Sequence, residues 1–247
     1  MVVCAALVVG PNSSVFTPQE LAGKLVALDY GNGTAYAGLL MLEGAMARES
    51  IVTCAATSHG GDRLAALKRG EFEATVLREP WIAAAEKTGC RVVSTTFFHG
   101  TWVADRSVSP EAYAAFLRAV TRAVRRINAD KRTYAGYYLR DFPGHPELAG
   151  LTPDDFDLNR IQLKEPGPIP EHEARWAWEW MSSWGLLEGR FDVGTQINRR
   201  VEREAHAHAT VSGGYHEASL IGEDSDGQGE GKDEEAQACE GQGSEAA

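Results

Sequence analysis

The chain has 247 residues, 43% of them hydrophobic, and a formal net charge of −11. That length and apolar content suffice for one large domain or two small ones with a real core. Nine acidic residues against the single Lys232 lie between Gly222 and Ala247, so the remainder is nearly balanced, which argues against a nucleic-acid footprint. No stretch approaches the ~20 apolar residues of a membrane helix, and no membrane insertion is expected.

The opening "MVVCAALVVGPNSS" is apolar only until Gly10-Pro11 and has no basic residue ahead of its apolar run. A buried strand is expected there rather than a signal peptide. As written, the chain is expected to be cytoplasmic, or periplasmic or extracellular if the true start lies upstream. "TPQELAGK" reads as a short helix capped by Thr17, with Pro18 first and Glu20 three residues after the cap. Alternation follows. Strands are expected at 24–30, 51–57, 73–79 and 91–97, and helices at 34–47, 61–70 and 80–89. Four short apolar strands linked by helix-length connectors predict a parallel, doubly wound α/β sheet.

After a further strand expected at 101–106, a long amphipathic helix is expected over 109–130, capped by Ser109. Its apolar stripe is read as Phe116, Val120, Val124 and Ile127, and its arginines as a solvated face. A second helix is expected at 131–142 and another at 170–187, where Trp176, Trp178, Trp180 and Trp184 suggest core packing. Beyond about Arg199 the sequence turns polar and then low-complexity, as a disordered tail does. Cys54 and Cys90 sit in strand-like runs and read as buried free thiols; with Cys4 and Cys239 they form no disulfide framework.

The turn "GNGTA" carries the main ligand-binding candidates: Asn32, Gly33, Thr34 and Ala35. Thr34 is expected to cap the helix, leaving the N–H groups of Gly33, Thr34 and Ala35 at the carboxyl edge of a strand, where open α/β sheets bind ligands. The glycines do not follow G-x-G-x-x-G, so no dinucleotide is expected, and the motif reads equally as an ordinary capped turn. His59 in "TSHGGD", Arg78, Glu79 and Trp81 in "LREPW" and His99 in "FFHGTW" would meet the same edge or an adjoining cleft, though His59 reads more simply as an exposed loop histidine. Arg78 could clamp a carboxylate or sulfonate, though with Glu79 it could equally solvate the rim. His206, His208 and His216 could chelate a metal, but their polar surroundings argue against a rigid site. No H-E-x-x-H, G-x-S-x-G, Walker or C-x-x-C pattern occurs, and no cofactor or metal is expected.

In order and spacing, "FTPQELAGKLVALDYGNGTAYAGLLMLE", "DRLAALKRGEFEATVLREPWIAAAEKTGCRVV", "SPEAYAAFLRAVTRAVRRI" and "WAWEWMSSWGLLEG" resemble the solute-binding proteins of ABC importers of the nitrate/sulfonate/taurine type, including thiamine-precursor binders. The resemblance covers about residues 1–195. It implies a type II periplasmic-binding fold: 1–16 as a hinge-crossing strand, 17–95 as the ligand-binding α/β lobe, 96–198 as the returning helical part of the other lobe, and 199–247 as linker and tail. Members of that family normally begin with an export signal and the first half of lobe one; this sequence is expected to lack both, whether because the start lies upstream, because it is a fragment, or because it works with another polypeptide. The implied function is non-catalytic binding of a small anionic or heteroaromatic molecule, with an ABC permease as partner if the chain is exported. The alternative is a cytosolic enzyme on the same fold, a sulfinate desulfinase or thiamine-precursor synthase.

Overall fold

Five strands make one sheet: β1 (Val2–Val9), β2 (Leu25–Leu28), β3 (Val52–Ala55), β4 (Ala74–Leu77) and β5 (Arg91–His99), in spatial order β3-β2-β4-β1-β5. β2 pairs in parallel with β3 and β4, whereas β1 is antiparallel to both β4 and β5. β2 to β5 therefore point the same way, as the βα alternation predicts, but the sheet is mixed because β1 is inserted against them. An apolar run reports burial on both faces, not direction. β1 sends Cys4, Ala6 and Val8 to one face and Ala5, Leu7 and Val9 to the other, all buried. The computed structural model describes residues 2–101, 104–105, 107–197 and 203–204.

Helices cover both faces. α1 (Gly33–Glu43) packs Ala35, Leu39 and Leu42 with Leu7, Val26, Leu28 and Val76. α2 (Gly60–Lys68) and α3 (Trp81–Lys87) pack Leu64, Leu67, Trp81 and Ile82 with Cys4, Val8 and Leu77 on the other face. Gly38 lets α1 press onto the strands: a Cβ there would lie 2.7 Å from Val76 Cγ2 and 2.8 Å from Leu28 Cδ2. The Thr17 segment forms a 3-10 turn, Pro18–Leu21, with the expected capping box to Glu20.

α4 (Pro110–Ala129) begins as expected, with Ser109 Oγ accepting the Ala112 N–H at 3.2 Å. Its buried side chains are Ala114, Leu117 and Val124, while Phe116 is 40% exposed. The seam is thus rotated from the expected stripe, with Leu117 taking the place assigned to Phe116. The helix expected at 131–142 divides at Gly136 into α5 (Lys131–Ala135) and α6 (Tyr137–Arg140). α7 (Glu171–Ser183) precedes a short α8 (Val193–Gln196).

Trp180, Trp184 and Leu186 pack on the α1 side of the sheet. Both indole N–H groups donate to Glu43 Oε2, at 2.7 and 3.3 Å, and the Arg48 guanidinium lies 4.2 Å from the Trp184 ring centre. Trp176 is half-exposed rather than core. Of the strand expected at 101–106, Thr101, Ala104 and Asp105 are irregular, and the other residues lie outside the described ones. So do Cys239, the three tail histidines and the acidic tail. Among the described residues no helix is long and apolar enough to cross a membrane.

Candidate functional site at the carboxyl edge of the sheet

The pairing Leu28↔Ala55 and Ala27↔Thr75 brings the loops after β2, β3 and β4 to one edge, and β5 ends there at His99. Between β2 and β4 the winding reverses: α1 leads away on one face and α2 returns on the other. In open α/β sheets, the two loops that flank such a switch point are where ligands commonly bind. Here the loops are the "GNGT" turn and Arg78–Glu79.

The turn is built on a buried ion pair that sequence reading did not foresee. Asp29 and Arg63 are 5% and 3% exposed, with Arg63 Nη1 3.6 Å from Asp29 Oδ2. Arg63 also donates to Thr57 O at 2.5 Å and Val76 O at 3.2 Å, so one guanidinium ties the ends of β2, β3 and β4 together. Burial pulls that guanidinium below its ordinary pKa, and Asp29 opposes the shift. The available signal was spacing: Arg63 stands four residues before the buried Leu67, on the inward stripe of α2.

Asp29 Oδ1 accepts the Gly31 N–H at 3.0 Å, and Asp29 Oδ2 accepts from Asn32 Nδ2. Asn32, not Thr34, is the N-cap: its backbone is extended and its Oδ1 accepts the Thr34 N–H at 2.8 Å. Thr34 is the second residue of the helix, buried, and its hydroxyl also donates to Asn32 Oδ1. Either residue type suits an N-cap, and Asn32 holds the place because it precedes the first helical residue. The Ala35 N–H bonds Asn32 O at 3.2 Å. Of the three amides expected to face a ligand, only that of Gly33 has no acceptor among the described residues. Beside it stands an aromatic wall: a Cβ on Gly33 would lie 2.6 Å from Phe98 Cε2.

The other candidates divide sharply. Arg78 is exposed at the end of β4 and has no carboxylate partner among the described residues. Glu79 is buried, with Oε2 accepting the Ala83 N–H at 3.1 Å and Oε1 3.4 Å from Arg160 Nη1. Burial pushes its carboxyl up to about 7 against the pull of that N–H and of Arg160. Trp81 is buried under α2, within a ring cluster of His59, Phe142 and His145. His99 is exposed, its Nδ1 3.5 Å from Glu173 Oε2 on α7.

Thiol chemistry has little support at this edge. Cys4 and Cys90 are buried, and burial pushes Cys4 up to about 11 and raises Cys90. Cys54 is only half-buried, because β3 is an edge strand with a neighbour on one side alone. A hollow of about 240 Å³ lined by Leu139, Phe142, His145 and Leu151 lies on the α2–α3 side, away from the "GNGT" turn.

No protein-family model matches the sequence, and no curated protein matches it. Solved structures do. A putative sulfonate ABC transporter's periplasmic sulfonate-binding protein from Methylobacillus flagellatus KT is 20% identical, with a TM-score of 0.56 over 85% of this chain and 68% of that one. The periplasmic aliphatic sulphonate-binding protein of Escherichia coli is 18% identical, with a TM-score of 0.55 over 82% of this chain and 73% of that one. A mutant of DszB in complex with biphenyl-2-sulfinic acid is 14% identical, with a TM-score of 0.50 over 83% and 78%. At these identities the likeness is one of fold. The chain has a periplasmic-binding-protein-like α/β fold, as its sequence resemblance implied.

Proposed function

We propose that the chain binds a small organic anion of the sulfonate class, without chemistry, in the crevice between the "GNGT" turn and Arg78. The observation that carries this reading is Arg78: an exposed guanidinium without a carboxylate partner among the described residues, at the β2/β4 switch point, next to the loop that starts α1. A guanidinium presents forked donors to the oxygens of such a group, and the Gly33 N–H adds a donor at the positive end of the α1 dipole. Phe98 offers the organic part an apolar surface. Both the aliphatic sulphonate and the biphenyl-2-sulfinic acid of the structural neighbours join an oxyanion to an apolar body, and that chemistry suits this crevice. Asn32 shapes the turn rather than contacting ligand, its amide being bonded on both sides. In the periplasmic setting of those neighbours, an ABC permease would be the partner.

Isothermal titration and thermal shift with alkanesulfonates, nitrate and taurine test this on the wild type and on Arg78→Gln. The expected result is a sulfonate-dependent rise in melting temperature that Arg78→Gln removes while the unliganded melting temperature stays unchanged. Sulfonate binding that is indifferent to Arg78→Gln would overturn the assignment, as would the lack of any binding to the folded wild type.

A further inference from the structure

On the opposite face of the sheet from α1, the glycine pair of "TSHGGD" has a structural reason that the anion site does not use. A Cβ on Gly60 would lie 2.6 Å from Trp81 Nε1, and one on Gly61 would lie 2.5 Å from His145 Nε2. The bare backbone lets two imidazoles meet over the start of α2: the rings of His59 and His145 stack with centres 4.9 Å apart and planes 24° apart. Asp62, three residues after His59, brings a carboxylate, with Oδ2 3.7 Å from His59 Nδ1. That separation is too long for a hydrogen bond. His59 Nδ1 is itself buried and has no hydrogen-bond partner, although the ring as a whole is partly exposed.

We propose that His59, Asp62 and His145 form a binding site for a divalent transition metal. One ligand atom from each residue already lies within 4.8 Å of the others. Metal–ligand bonds of about 2.0–2.1 Å require neighbouring ligand atoms roughly 3.3 Å apart in a tetrahedron, so the set must close by up to about 1.5 Å. Asp62 is free to do so, being exposed on the first turn, and His145 lies on the loop before the 3-10 turn Pro146–Leu148. Two imidazoles and a carboxylate select Zn²⁺, Co²⁺, Ni²⁺ or Cu²⁺ over Mg²⁺ and Ca²⁺, which prefer oxygen. Three protein ligands leave a coordination position open on the solvent side of Asp62.

Loading has a specific structural consequence. His145 Nδ1 now accepts the Glu147 N–H at 3.2 Å. If Nδ1 takes the metal, its lone pair is used; if Nε2 does, the ring proton moves to Nδ1. Either way the Glu147 amide loses its acceptor.

The test uses the full chain with His206, His208 and His216 changed to Gln, so that the tail supplies no imidazole. Co²⁺ is followed by its visible absorption and Zn²⁺ by calorimetry. One equivalent of metal is expected, with the Glu147 amide exchanging faster in the loaded protein. Asp62→Asn, an exposed position, should weaken binding by at least about tenfold, as loss of even an outer metal partner does, without changing the circular dichroism. His59→Gln and His145→Gln should each abolish the stoichiometric site. The inference is overturned if the tail-substituted chain binds no stoichiometric metal, or if binding survives both histidine substitutions. Neither result touches the sulfonate reading, which concerns the α1 side and Arg78.

Discussion

Replacing Glu79 by Gln keeps the shape of a buried side chain and removes its titration, so it isolates what the charge does at the β4–α3 corner. The side chain is 4% exposed, and burial lifts its carboxyl from its ordinary 4.5 to about 7. A group that holds its proton more tightly when folded gives its full stabilisation below its unfolded pKa. It loses that stabilisation as pH climbs through the folded value. Between 4.5 and about 7, at about 1.4 kcal/mol per pH unit, the loss reaches at most about 3 kcal/mol.

Gln avoids this loss and still accepts the Ala83 N–H. Arg160 is not stranded, since Glu86 holds it through two 2.8 Å bonds and Asp157 lies 3.4 Å away. Urea unfolding at pH 5 and pH 8 is the assay. At pH 5, just above the unfolded value, the variant should gain less than about 1 kcal/mol over the wild type, and at pH 8 it should be more stable by up to about 3 kcal/mol. A variant that is destabilised, and more so at pH 8, would show Glu79 ionised and held by Arg160, refuting the dominance of burial.

Gly38→Ala forces a methyl into Val76 and Leu28, so despite alanine's better helix propensity it should lose about 1–3 kcal/mol in urea unfolding. An unchanged midpoint would mean that α1 is not seated on the strands as described. Glu43→Ala leaves two indole N–H groups and Arg48 without their shared acceptor. Stability should fall by about 1–3 kcal/mol with red-shifted tryptophan emission as α7 loosens; unaltered emission would place α7 elsewhere.

The alternation that predicts β2 to β5 is legible because each strand–helix connector carries its own start and stop residues, such as the Pro80–Gly89 pair around α3. The opposed direction of β1 leaves no such mark: Val2–Val9 would be equally apolar in either orientation. Helix seams are legible only to within a rotation, and hydrophobicity alone favoured Phe116 although Leu117 is the residue buried. At the site, the sequence shows that "GNGT" joins a strand to a helix. It does not show which of two competent caps is used, because that depends on where the first helical residue falls. Arg63 and His145 were missed for a different reason. Each acts through a partner distant in sequence, Asp29 for one and His59 for the other, and local spacing cannot announce such a pairing.

The size of the sulfonate effect follows from what the crevice contains. Arg63 is already neutralised by Asp29, so an incoming anion gains from Arg78 and from the start of α1. A charged hydrogen bond contributes about 1.5–3 kcal/mol and a helix N-terminus about 0.3–1, whereas a 1 mM Kd requires about 4.1. Oxyanion contacts alone therefore give millimolar binding at best, and any tighter affinity has to come from the organic part. Against Phe98, each buried methylene contributes about 0.8 kcal/mol, roughly fourfold in Kd. Ethane-, butane- and hexanesulfonate should then tighten in regular steps, each step weakening when Phe98 is replaced by Ala. A flat series would leave the tail in water and remove Phe98 from the site, while the Arg78 contact would stand or fall on its own variant.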